Sequence, residues 1–103
     1  MTHTILIVDD DPTQRRLMQA VIERNGFATL QAASADEMFR VLGGPQGPDV
    51  GMVMLDLVMP GEDGISALKR LRPGHPELPV IVLTAQGGIE TVVSAMRAGA
   101  DDF

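Results

Sequence analysis

Three short runs of this chain are apolar at every position: Ile5-Leu6-Ile7-Val8, Met52-Val53-Met54-Leu55 and Val80-Ile81-Val82-Leu83. A strand apolar on both sides needs cover on both faces, so these runs call for a sheet enclosed by helices. Helix-period segments lie between them. Asp11-Pro12-Thr13-Gln14 opens the first, with Asp as N-cap, Pro at the first helical position and Gln at N3. Leu17, Met18, Val21 and Ile22 form its apolar stripe, and Arg15, Arg16 and Glu23 take the wet side. Asn25-Gly26 stops it, with Gly26 expected in the left-handed conformation. Residues 27–32 read as a weaker second strand. Ser34-Ala35-Asp36-Glu37 is a capping box for a short helix buried through Met38, Val41 and Leu42. The Gly- and Pro-rich residues 43–48 form a loop. Ile65, Leu68 and Leu71 mark a third helix ending before Pro73, and Ile89, Val92, Val93 and Met96 line a fourth, closed by Gly99. Asp101-Asp102-Phe103 begins a fifth strand. Strands alternating with helices through short loops give βαβ units and a parallel sheet, in one α/β domain over residues 1–103.

Composition narrows the function. The 103 residues suffice for one core, and 45% hydrophobic with 21% charged is ordinary for a globular protein. No apolar run approaches the roughly 20 residues of a membrane-spanning helix. Ile5-Leu6-Ile7-Val8 is too short for a signal-peptide core and runs into three acids. There is no Cys, which suits the reducing cytoplasm and excludes thiolate metal sites. A net charge of −6 with scattered basic residues argues against direct nucleic-acid contact.

In an open parallel sheet, ligands bind beyond the C-terminal strand ends. Here the first strand delivers Asp9-Asp10-Asp11, the third Asp56, and the fourth Thr84-Ala85. Asp11 is accounted for as an N-cap. Adjacent acids such as Asp9 and Asp10 after a buried strand are costly unless solvated or bound to a cation. All-oxygen donors without nearby His or Cys favour Mg²⁺, Mn²⁺ or Ca²⁺, and one or two carboxylates with several waters describe Mg²⁺ best. An Asp beside such an ion can act as nucleophile toward a phosphoryl group, with Thr84 as hydrogen-bond donor to it. His3 and His75 have no partner at a readable spacing.

The sequence resembles the receiver domain of response regulators in two-component signalling. The matching pieces are Ile5 to Pro12, Met54 to Gly61, Asp63-Gly64, Pro79 to Ala85 and Ala98 to Phe103, in the family's order. The resemblance implies a flavodoxin-like doubly wound sheet of strand order 2-1-3-4-5, its fifth strand and fifth helix incomplete or absent here. It implies that Asp56 takes a phosphoryl group from a histidine kinase or phosphotransfer protein. Asp10 would ligate Mg²⁺ directly, Asp9 through water, and the Val58 backbone carbonyl would complete the protein ligands. Thr84 would contact the phosphoryl group and switch, and Phe103 falls at the switch aromatic position. Phosphorylation would then act on an output domain or partner through the fourth helix, with Asp56 to Gly61 and Ala98 to Phe103 most like receivers joined to transcription activators.

The family's active-site Lys follows the aromatic by three residues, beyond Phe103, and Lys69 is the only lysine here. The expectation is a piece of a longer chain, or a segment completed by another molecule in a homodimer, with the sheet partly bare beside the first helix. Val58 and Gln86 match the positions that tune dephosphorylation, and Val58 cannot hydrogen-bond an attacking water, which implies a long-lived phosphoryl group. The alternatives are a phosphorylation-independent interaction or dimerisation module and an Asp-nucleophile phosphatase. The phosphatase usually has a second acid where Val58 stands. No G-x-G-x-x-G or G-K-[ST] motif supports a nucleotide-binding enzyme.

Overall fold

The computed structural model describes residues 4–59, 61–83 and 89–103. Its elements are β1 (Thr4–Val8), α1 (Pro12–Arg24), β2 (Ala28–Ala32), α2 (Ala35–Leu42), a 3-10 turn (Gly47–Asp49), β3 (Val50–Asp56), α3 (Gly64–Leu71), β4 (Val80–Leu83) and α4 (Ile89–Ala98). The strands form a parallel sheet in the order β2-β1-β3-β4. This is the flavodoxin-like arrangement that the family resemblance implies, with β2 at one edge. Beyond β4, the segment 101–103 takes the place of a fifth strand. Asp102 bridges Ile81 in parallel, and Asp101 N–H donates to the Val80 carbonyl at 2.8 Å. Arg72 fixes this segment, donating to the carbonyls of Gly99 and Leu78 and to Asp101 Oδ2.

The local start signals act as the sequence suggests. Asp11 Oδ1 accepts from the N–H groups of Thr13 and Gln14 at the head of α1, and Ser34 Oγ from Glu37 N–H at the head of α2. Gly26 follows α1 with φ +93°, a conformation costly for any residue with a Cβ.

The two faces of the sheet are covered unequally. On one, Leu6, Val8, Val53, Leu55, Val80 and Val82 pack with Met38 and Leu42 of α2, Ala67, Leu68 and Leu71 of α3, and Ala95 of α4. This is the core. On the other face, α1 packs on β1 and β2, while Met52 and Met54 of β3 and Ile81 and Leu83 of β4 stay half-buried. The expected apolar stripe of α1 is correspondingly shallow. Met18 and Ile22 are half-buried, whereas Leu17 and Val21 are 61% and 54% exposed and no residue of α1 is fully buried. No described helix is long and apolar enough to cross a membrane.

Candidate functional site

Register brings the acids together. Val8 of β1 lies opposite Leu55 of β3, so the next residues, Asp9 and Asp56, emerge side by side at the C-terminal edge of the sheet. Asp9, Asp10 and Asp56 each offer one carboxylate oxygen, and these oxygens lie within 4.8 Å of one another. Asp11 points to another task, the cap of α1.

Asp9 is the anchored member of the group, only 3% exposed. Its N–H donates to the Ala32 carbonyl (3.1 Å), its Oδ1 accepts from Asp11 N–H (2.9 Å), and its carbonyl accepts from Arg15 Nη1 (2.6 Å). Asp10 is exposed and Asp56 half-buried. Asp56 Oδ1 accepts from the N–H of Val58 at 2.9 Å, which closes the first turn of the loop after β3.

The loop is pinned from two sides. Leu57 N–H donates to the Leu83 carbonyl of β4, and Gly64 N–H to the Leu57 carbonyl. Gly64 opens α3 against the main chain of residues 56–57. A Cβ there would sit 2.6 Å from Leu57 Cα and 2.7 Å from the Asp56 carbonyl oxygen. Only glycine allows this approach.

Two like charges ~4 Å apart repel by about 4 kcal/mol at an effective dielectric near 20. The Asp56 carboxyl is held above its ordinary range. Partial burial is the main cause. The Val58 N–H opposes the rise, and the charges of Asp9 and Asp10 and a hydrogen bond with Asp9 add to it. Three convergent oxygens with no imidazole or thiolate in the group fit a hard divalent cation.

The other candidate residues lie outside this group. Val58 stands beside Asp56 with its side chain 58% exposed. Phe103 is 66% exposed at the end of the segment along β4. Thr84 and Gln86 lie outside the described residues, although Leu83, just before Thr84, pairs with Asp56. Lys69 lines an open groove between α3 and α4 with Asp63, Ser66, Ser94 and Arg97. Arg15 is the residue the sequence reading missed. Periodicity puts it on the wet side of α1, yet its guanidinium donates to the Asp9 carbonyl. Nothing in the helix pattern marks it, because the groups it binds lie off the helix.

The family model for the response regulator receiver domain matches residues 5–103. The chain belongs to that family. Its similarity to known receivers is spread along its whole length. It is 38% identical over 99 residues to Protein PetR of Rhodobacter capsulatus, covering 96% of this chain and 40% of that protein. It is 36% identical over 100 residues to the C4-dicarboxylate transport transcriptional regulatory protein DctD of Rhizobium meliloti, covering 97% of this chain and 21% of that protein. The crystal structure of a response regulator receiver protein from Pseudomonas putida superposes with a TM-score of 0.92 at 25% identity, over all of this receiver and 84% of that chain. The receiver thus spans less than half the length of these two proteins.

Proposed function

We propose that this receiver is a phosphorylation switch in which Asp56 accepts a phosphoryl group from a histidine kinase or phosphotransfer protein. The observation that carries the reading is the meeting of the Asp9, Asp10 and Asp56 carboxylate oxygens at the C-terminal edge of β1 and β3. An Asp56 oxygen attacks the phosphorus of the donor phosphohistidine. The P–N bond breaks, the imidazole nitrogen leaves with the electron pair, and an acyl phosphate remains on Asp56. Asp10 and Asp56 would hold Mg²⁺ with the Val58 carbonyl, Asp9 acting through water, and the ion would offset the charge of the transferring group. Asp9 orders the loop through its Oδ1 bond to Asp11 N–H, and Val58 N–H orients the nucleophile. Thr84 would contact the phosphoryl group. Its state would pass through the fourth helix and Phe103 to an output domain in the parent chain, a homodimer partner, or both. The name of the transcriptional regulator DctD supports a transcriptional output. The chemistry is that of a switch acting on itself, in the cytoplasm, rather than turnover of a substrate.

The second reading is a phosphorylation-independent interaction module. Beryllofluoride, an acyl-phosphate mimic, separates the two. With Mg²⁺ it should stabilise the protein by about 2.7 kcal/mol at a hundredfold excess over Kd, and leave Asp56→Ala unchanged. An unchanged melting temperature in the parent chain favours the interaction module.

A further inference from the structure

We propose that Arg15 is a positioning residue for the acidic group, setting its affinity for a divalent cation by fixing the main chain of Asp9. The inference rests on the cation-binding reading above and names a residue outside the ligand set. Asp9 is tied through its N–H, its Oδ1 and its carbonyl. Of these three, the carbonyl bond alone is supplied by another residue's side chain.

The geometry suits that task. Arg15 Nη1 donates to the Asp9 carbonyl at 2.6 Å, and Arg15 Nε to Gln31 Oε1 on β2 at 3.2 Å. One planar fork therefore ties the end of β1 to its neighbouring strand. Gln31 in turn donates to Gln19 Oε1, Gln19 to Glu23 Oε2, and Thr29 Oγ1 to the same Glu23 oxygen. These bonds hold Gln31 in place along the seam between α1 and β2. The guanidinium binds a main-chain carbonyl, and among the described residues it forms no ion pair. It thus leaves the carboxylate oxygens for a cation.

A Lys at this position keeps the charge but offers a point donor, which serves one of the two acceptors at a time. The test is a Mg²⁺ titration of this chain and its variants, followed in ¹H–¹⁵N spectra at the Asp9 and Asp10 amides, whose dispersion also reports folding. Losing a residue that orients a ligand typically weakens metal binding by 10- to 100-fold, and acting through the main chain places Arg15→Ala near ~10-fold. Arg15→Lys should recover part of that loss, Gln31→Ala should weaken binding less than Arg15→Ala, and Thr29→Val at the far end of the network should bind as the parent does. Parent-like binding by Arg15→Ala overturns the role of Arg15 alone, and no binding by the parent overturns the cation-binding reading with it. Equal loss in Thr29→Val and Arg15→Ala reduces the role to general stiffening and also overturns it. Should Arg15→Ala fail to fold, Gln31→Ala against Thr29→Val decides: a loss in the first only supports the role, and a loss in neither contradicts it.

Discussion

At the scale of single residues, the site is a balance between crowded charge and local restraint. Asp56 is held above its ordinary range, first by burial and then by Asp9 and Asp10. The native state therefore binds this proton more tightly than the unfolded chain does. Stability falls as pH rises from the ordinary Asp range through the raised value. Without divalent cations, Asp56→Asn should be more stable than the parent at neutral pH, and the gap should close as pH drops below the ordinary Asp range. Denaturant midpoints across that range measure it, and a gap independent of pH would contradict the assignment. Val58 adds a second residue-scale expectation. Its exposed side chain beside Asp56 offers no hydrogen bond to an attacking water. Val58→Asn should shorten the acyl-phosphate lifetime several-fold, read as phosphate release after a phosphodonor pulse in a chain that extends past Phe103.

At the scale of elements, the tolerance of each helix follows from what lies over it. The start of α3 meets the Asp56–Leu57 main chain with no room for a Cβ. Gly64→Ala should cost about 1–3 kcal/mol in chemical denaturation, because backbone and not a flexible side chain must give way. Leu68 of the same helix is fully buried, and Leu68→Ala should cost about 2–5 kcal/mol. Leu17 of α1 is mostly exposed, so Leu17→Gln should stay within about 0.5 kcal/mol in this chain. The contrast marks the limit of periodicity. Leu17 and Val21 fall on a sound helical stripe, but a stripe shows which face is apolar, not whether neighbouring strands bring that face a partner. The caps at Asp11 and Ser34 were legible because a cap is decided within four residues. Arg15 was not, since its partner Gln31 is 16 residues away on another strand.

At the scale of the molecule, the parallel order β2-β1-β3-β4 turns separate acids into one site. Asp9 and Asp56 are 47 positions apart in the sequence and meet because β1 and β3 are adjacent in the sheet. The strands and the acids at their ends were readable from apolar runs that stop on carboxylates. Their adjacency came from the family resemblance, as no pattern within a strand states its neighbour. We propose that this meeting makes Asp56 a cation-dependent phosphoryl acceptor. Its most direct measurement is mass spectrometry of the protein after incubation with acetyl phosphate, with and without Mg²⁺. One added phosphoryl group is expected, mapped to the peptide containing Asp56, present only with Mg²⁺ and absent in Asp56→Asn. A phosphoryl group at another residue, one gained equally without Mg²⁺, or none at all would contradict it.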